Sequence, residues 1–455
     1  MSAPAPTPAA PPAGPVAAGR PPGPGQPPGG PAVADSPAGR DAAALAPRSW
    51  KTPVLCGVFS LAVLVGFTLG SAAGSASRVS LNTGNSRLGT LAFSLPTRPS
   101  LITLGLVAAV LTGLAGWLVA GRRRVPTWLP VGLGLAVVPA FLVWAVSGKD
   151  YPLQFTSLLS GALFLSVPLV FGALSGCVCE HVGVINVAIE GQLLAGAFLA
   201  AVVGSATRNP WLGLLAAPVA GAAVGSLLAV FAVRYWVDHI IVGVVLNVLV
   251  TGVTSYLFST VLARHGEFSV PTSLPTWRLP LLAEIPVAGP VLFNQNALTY
   301  LMFAAVVFFQ VYLFRSRWGL RLRACGEHPA AAAAVGIKVN RTRVRNTILG
   351  GAVAGLGGAY FTVAAGLAFG KEMSAGRGYI ALAAMILGGW KPKGAVVAAL
   401  LFGFADNLQN ALGVVGVRIP SQFMLMAPYL VVVFAVAGIV GHVRAPEAEG
   451  KPYQA

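Results

Sequence analysis

Charge is what this chain has least of. Of its 455 residues only 9% are Asp, Glu, Lys or Arg, against 56% hydrophobic residues and a mean hydropathy of +0.76. A water-soluble chain carries about 25% charged residues, so the solvent for most of this one is lipid. Acids are scarcer than bases, 13 against 30, and the net charge of +17 invites comparison with nucleic-acid binders. The distribution argues otherwise: the basic residues stand in short loops beside apolar runs, as cytoplasmic loops of membrane proteins do. No nucleic-acid partner is expected. The five histidines are scattered, so no metal cluster is expected either. Cysteine is limited to Cys56, Cys177, Cys179 and Cys325. The Cys177-x-Cys179 spacing is not the C-x-x-C of redox and zinc sites, and these residues read as small apolar packing groups. No G-x-x-x-x-G-K-[ST] loop, H-E-x-x-H, G-x-S-x-G or kinase set occurs. The chain therefore offers no catalytic constellation, no ATP loop of its own and no cofactor site.

What is present falls into segments. Residues 1–50 are rich in Ala, Pro and Gly, as in Pro21-Pro22-Gly23-Pro24, with too little large apolar side chain to build a core. A disordered tail is expected there. It lacks the basic start and apolar run of a signal peptide, and Arg40, Arg48 and Lys51 should hold it in the cytoplasm. Runs near the twenty-residue length of a bilayer crossing are Pro53–Gly74, Leu101–Gly121, Thr127–Ser147, Ser157–Val178, Trp211–Val233, His239–Leu262, Ala297–Phe314, Asn346–Phe369, Gly394–Leu412 and Met424–Val443. Gln192–Ala206 and Tyr379–Gly389 are shorter and read as short, broken or re-entrant helices. The fold expected is an all-α, polytopic transmembrane helix bundle of ten to twelve spans.

Arg122-Arg123-Arg124 and the segment Arg315–Arg345, with eight Lys and Arg against the lone acid Glu327, should both be cytoplasmic. Counting all twelve runs as crossings puts both termini inside. Gly221-x-x-x-Gly225 and Gly351-x-x-x-Gly355 are small-residue faces for close helix packing. The first three spans, 51–150, carry no motif and read as an addition. A core module is expected over 151–443, with a short cytoplasmic tail at 444–455.

Three constellations stand out. In Gly183-Val184-Ile185-Asn186-Val187-Ala188-Ile189-Glu190-Gly191-Gln192 a carboxylate and two amides interrupt apolar sequence. An acid at a helix centre costs about 2.5–3.5 kcal/mol to insert, so Asn186, Glu190 and Gln192 need a reason to be there. Asn186 and Glu190, four apart, share a face if the stretch is helical. They either line or brace a translocation path, or belong to an interfacial loop with a capping acid. In the second, Gly326-Glu327-His328-Pro329 is followed by five alanines and Gly336. Pro329 suits a first helical position and Gly336 a helix end, giving a short smooth helix that fits a partner's groove or serves as a plain connector. The third runs from Gly376 through Trp390-Lys391-Pro392 to Asp406-Asn407-Leu408-Gln409-Asn410. A short helix, a break and a second helix make a discontinuous element of the kind that marks transport paths. Asp406 and Asn407 face a wet cavity there or form a polar helix end at the outer surface.

From about Phe155 to Val443 these motifs resemble the membrane permeases of ABC importers of the ribose, branched-chain amino acid and nucleoside type. The Gly183–Gln192 stretch is similar to that family's G-x-x-N-I-x-x-E-G-Q pattern. The Gly326–Ile337 stretch is similar to its G-E-N-P-x-A-A-x-x-x-G-I coupling segment, and Gly376–Gly403 to its G-x-G-Y-I element. The Asn-to-Glu form of the first motif is closest to the nucleoside branch. His328 stands where Asn is usual and Ala188 where Gly is common. The resemblance implies a multi-pass protein of a bacterial plasma membrane that forms the path for nucleosides. Asn186, Glu190, Gln192, Asp406 and Asn407 would lie on the path, and Gly326, Glu327, His328, Pro329, Ala332 and Gly336 would dock on a separate cytoplasmic ATPase that hydrolyses the ATP. A second permease subunit, alike or different, and an extracellular substrate-binding lipoprotein would complete the importer. A sugar such as ribose is the alternative cargo. An ion-coupled secondary transporter is a more distant reading, with only Glu190 and Asp406 as candidate coupling acids.

Overall fold

The computed structural model describes residues 50–454 apart from 73, 83–89, 124, 127, 150, 417–425 and 427–443. The tail before Trp50 and nearly all of the run Met424–Val443 lie outside the described residues. Among those described, nine helices are long and apolar enough to cross a membrane. In chain order the elements that matter are α1 (Lys51–Leu61, extended by a wider turn to Phe67), β1 (Ala76–Asn82), β2 (Thr90–Pro96), α2 (Thr97–Ala120), α3 (Trp128–Ala145), β3 (Leu153–Gln154) and α4 (Phe155–His181). Then come α5 (Ile189–Ala206), α6 (Pro210–Ala229), α7 (His239–Leu257), β4 (Thr276–Arg278), α8 (Ala288–Leu292), β5 (Asn294–Asn296) and α9 (Ala297–Arg315). The chain continues with α10 (Arg317–Glu327), α11 (Pro329–Ala334), α12 (Val339–Gly358), α13 (Arg377–Leu387) and α14 (Pro392–Val415).

Two differences from the sequence reading have physical causes. The run from Gln192 is no short or broken helix but a full one that begins at Ile189, because Glu190 and Gln192 find protein partners and can sit inside the bundle. The first span is shorter than Pro53–Gly74, since the chain leaves α1 for a β1–β2 hairpin. That hairpin pairs in parallel with β3 through Val79 and Leu153. Tyr379–Gly389 is a short helix, α13, of 11 residues.

Helix α4 is the axis of the bundle, with every residue from Ser166 to Glu180 buried. It packs against α12, α13 and α14. The two small-residue faces seen in the sequence turn out to be mates. A Cβ on Gly221 would strike the Gly351 carbonyl, and one on Gly355 would come within 2.5 Å of the Ala217 carbonyl oxygen. Such contact brings the backbones of α6 and α12 together, as lipid-embedded helices require when hydrophobic burial cannot drive them. Helices α1–α3 form their own layer on two small clusters, one around Cys56, Ala108 and Ala136, the other around Val63, Leu101 and Ala140. They join the main bundle at one end, where Leu142 and Val146 pack on Leu158 and Val415.

The antiparallel course of the helices gives the bundle two ends. One carries the hairpin. The other gathers the last turn of α4, the α10–α11 segment and, after the undescribed run, the strap Arg444–Gln454, whose Ala448 N–H donates to the Gly326 carbonyl at 2.8 Å.

Candidate translocation site and coupling face

The first motif folds back into the bundle. Gly183, at φ +92°, reverses the chain after α4, a conformation that suits glycine. Asn186 then donates to Ser175 Oγ and Gln192 Oε1, both at 3.0 Å, and Gln192 Nε2 donates back to Asn186 Oδ1 at 3.2 Å. Both amides are fully buried. Because the helix starts only at Ile189, Asn186 and Glu190 do not share a helical face; Asn186 pairs with Gln192 instead. The Asn186–Gln192 pair satisfies in protein what hydrocarbon would penalise.

Glu190 makes the decisive contact. Its Oε1 accepts from Ser374 Oγ at 2.6 Å and from Gly376 N at 2.8 Å, and its Oε2 accepts from Gly378 N at 2.6 Å. The carboxylate thus caps the amino end of α13, where unpaired N–H groups and the helix dipole favour a negative charge. Gly378 has no room for a side chain, since a Cβ would strike the Glu190 backbone. Approaching this point the chain is bent: Glu372 (φ 53°), Ala375 (φ 48°) and Gly376 (φ 79°) all take left-handed backbone. For non-glycine residues that costs roughly 1–3 kcal/mol each. Asn247 of α7 completes the knot, accepting from Gly191 N at 2.8 Å and donating to Val187 O at 2.9 Å and to Tyr379 Oη at 3.1 Å.

The depth of this knot follows from α4. Ala381 lies against Gly172 and Met385 against Gly176, so α13 runs parallel to α4 toward the basic end. Gly172 precedes the end of α4 by nine residues, or about 14 Å at 1.5 Å per residue. The amino end of α13, four residues earlier, therefore stands roughly 20 Å from that end, well inside a ~30 Å hydrocarbon layer. The helix is a half-crossing preceded by irregular chain. It closes on a tight turn in which the Gly388 and Gly394 backbones touch, and Trp390 (φ 56°) donates its indole N–H to Glu180 Oε2 at 2.5 Å.

The remaining path candidates are arranged differently. Asp406 pairs with Arg377 at 3.3 Å, and the two side chains stay 33% and 25% exposed. Arg377 also lies over the Phe361 ring at 5.6 Å, and Tyr379 beside it is 47% exposed. Asn407 donates to the Leu158 carbonyl at 2.7 Å and ties α14 to α4. Of the five expected residues, Asp406 is thus partly open, Asn407 is half-buried, and Asn186, Glu190 and Gln192 are sealed in protein. Sequence reasoning did not single out Arg377, Ser374 or Asn247. Arg377 carried a usable signal, a cation between two glycines in an apolar stretch.

At the basic end Pro329 opens α11 and Gly336 (φ 84°) closes it. Ala332 faces the bundle, whereas Glu327, His328 and Val335 are exposed. Gly326 presses on the end of α4 so closely that a Cβ would strike the His181 carbonyl. Beneath lies Arg343, buried to 1% exposure. Its Nη1 donates to Lys451 O at 2.8 Å, and its Nη2 reaches Cys325 O and Ala448 O, both at 3.5 Å. One guanidinium therefore joins α12, the end of α10 and the strap. Gly450 N donates to Gly183 O at 3.2 Å, Asn340 Nδ2 to Tyr453 O at 3.4 Å, and Glu447 approaches His328 at 3.8 Å. Burial pushes the Glu449 carboxyl above its ordinary range, and its hydrogen bond with Glu180 works the other way. Among the described residues no group of three His, Cys, Asp or Glu is placed to hold a metal ion.

A family described as the permease component of the branched-chain amino acid transport system matches residues 158–440. The chain belongs to this family. The permease match begins in α4 and takes in the Glu190 knot, the Gly326–Gly336 segment and α13–α14, leaving α1–α3 and the strap outside. The chain is 35% identical over 307 residues to the guanosine ABC transporter permease protein NupQ of Bacillus subtilis, covering 65% of this chain and 96% of that one. It is 37% identical over 305 residues to the nucleoside ABC transporter permease protein NupC of Lactococcus lactis, with the same coverage of 65% and 96%. The putative glucose ABC transporter permease protein TsgC13 of Haloferax volcanii is 32% identical over 256 residues, 55% of this chain and 76% of that protein. No solved structure matches. As a permease with nine membrane-length helices among its described residues, this is a multi-pass membrane protein.

Proposed function

We propose that this permease is the membrane half of an ATP-driven importer of nucleosides in a bacterial plasma membrane. The observation that carries the reading is a continuous chain of contact from the basic end to well inside the hydrocarbon layer. Helix α11 follows Gly326, Gly326 bears on the end of α4, and α4 holds α13 through Gly172 and Gly176. Helix α13 meets Glu190 at its amino end. A push on α11 by a cytoplasmic ATPase would be transmitted to the broken helix, with Gly326, Glu327, His328, Pro329, Ala332 and Gly336 as the docking segment. Cargo specificity is supported by the names of the guanosine and nucleoside permeases most similar to it.

Within this reading Asp406 and Asn407, with Arg377 and Tyr379, form the wall that cargo meets. A neutral nucleoside needs hydrogen-bond partners and an aromatic surface rather than a counter-charge, and these residues offer both. Asn186, Glu190 and Gln192 stand one layer behind and fix the wall in place. A second permease subunit completes the path, and a substrate-binding lipoprotein delivers cargo at the hairpin end. The test is uptake of radiolabelled guanosine, adenosine, uridine and ribose in cells with and without the gene, under ATP depletion and with a protonophore. Nucleoside uptake that follows ATP and survives the protonophore is the expected result. Loss of ribose uptake alone would move the chain to a sugar cargo, the reading that the Haloferax relative favours. Collapse with the proton gradient at constant ATP would refute the coupling role.

A further inference from the structure

A cavity of about 1020 Å³ opens at the basic end between α10 and α12. Its floor is lined by four cations, Arg321, Lys338, Arg341 and Arg345. No acid pairs with any of them among the described residues, where the ion pairs are His328–Glu447 and Arg377–Asp406. Arg345 lies over the Trp318 ring at 5.6 Å, and Trp318 stands at the cavity rim. Higher up the character changes. Ile348, Leu349 and Ala352 line the upper part, and Tyr312 there has its hydroxyl turned to Asn346 at 2.9 Å. Lys338, Arg341, Arg345, Leu349 and Ala352 follow helical spacing along one face of α12, a face that α4 and α6 leave uncovered. From Lys338 to Ala352 this face rises about 21 Å.

We infer that this cavity binds an anionic phospholipid, its phosphate among Arg321, Lys338, Arg341 and Arg345 and an acyl chain along Leu349 and Ala352. Basic pockets between spans on the cytoplasmic side suit such headgroups, and interfacial Trp and Tyr suit the boundary between headgroup and chain. The upper half decides between ligands. A free phosphate or an acidic protein segment would use the cations and leave the apolar helix face above Arg345, about 10 Å up to Ala352, empty; a lipid uses both. The turn Val335–Lys338 that closes α11 forms part of the cavity wall, so the bound lipid would hold the coupling segment at the bilayer surface. The inference rests on membrane placement and is independent of the cargo.

The test takes the assembled transporter, purified in mild detergent, and reads co-purifying lipid by native mass spectrometry and binding of dihexanoyl phosphatidylglycerol by titration. The expected result is retained phosphatidylglycerol or cardiolipin. The triple variant Lys338→Gln, Arg341→Gln, Arg345→Gln should bind the short-chain lipid on the order of 100-fold more weakly, each cation near the surface contributing a factor of roughly five. Ala352→Phe keeps every charge and fills the apolar end, and should also lower retention. Equal lipid in wild type and both variants overturns the inference. So does glycerol phosphate competing as well as the lipid, because the apolar face would then be unused. A triple variant that keeps its lipid but loses the ATPase would assign the cations to that partner instead.

Discussion

Glu190→Gln tests the knot most directly, because it keeps the shape and removes the charge. Three hydrogen bonds reach the carboxylate, at 2.6, 2.8 and 2.6 Å. Bonds to a charged group contribute about 1.5–3 kcal/mol each and neutral ones about 0.5–1.5. In the amide, the oxygen can still accept from Ser374 and Gly376, at a loss of about 2–3 kcal/mol over the two. The new NH₂ then faces Gly378 N–H, leaving a buried donor unpaired at a further ~1–3 kcal/mol. A weakening of about 3–6 kcal/mol is comparable with the backbone strain held at Glu372 and Ala375, so the loop before α13 should relax. Amide exchange across residues 371–380 in the reconstituted transporter should quicken by 10²–10⁴, each 1.4 kcal/mol being tenfold. Uptake should fall, and Glu190→Asp, which keeps the charge, should fall less. If exchange is unchanged and uptake is lost, Glu190 touches cargo and the bracing argument fails. If neither changes, the knot has no role.

The strap gives a second prediction. Truncation after Pro446 strips Arg343 of the Lys451 and Ala448 carbonyls, a loss of about 3–6 kcal/mol for a buried cation. ATP hydrolysis should continue while uptake falls steeply, and normal uptake would show that the strap is idle. The strap should also loosen as pH rises. Glu449 holds its proton more tightly when docked, so docking is strongest below the free glutamate value of about 4.3 and weakens as pH climbs through the docked titration. A nitroxide on Gln454→Cys should gain mobility from pH 5 to pH 8, and Glu449→Gln should flatten that response; an unchanged response would place the titration elsewhere. Gly221→Val forces a side chain into the Gly351 carbonyl and should cost about 3 kcal/mol or more. Measured as thermal stability in detergent, an unaltered transition would deny the close packing. Removing residues 1–46 should leave uptake nearly intact, and complete loss would show that the tail is needed.

The spans were legible because hydrocarbon imposes length and apolarity on every crossing. Where that rule bends, the reading bent with it. Glu190 makes Gln192–Ala206 read as a short or broken helix, since its partners Ser374 and Gly376 lie far along the chain. Local hydropathy cannot register a bond to a residue 184 positions away. The two glycine motifs announced close packing but not that they pack on each other. The β1–β2 hairpin hides in sequence too short and too polar to weigh against its flanking spans. Arg343 illustrates the hardest case. It sits between Arg341 and Arg345, both exposed, and only the turn of α12 separates a buried cation from two surface ones.

The strap also has a place in time. Residues Arg444–Gln454 are translated after every crossing described here, so a nascent chain inserts its helices while Arg343 still lacks the carbonyls that will hold it. The face at the basic end is finished late, and a product cut short by premature termination or proteolysis carries an unfinished one. Recognition of that face by a partner would then double as inspection, admitting to the assembled transporter only chains read through to the strap. The same logic bears on where a label can be attached: a tag or fluorescent protein fused after Ala455 begins within three residues of Tyr453, whose carbonyl Asn340 holds, and would pull on the face it is meant to report.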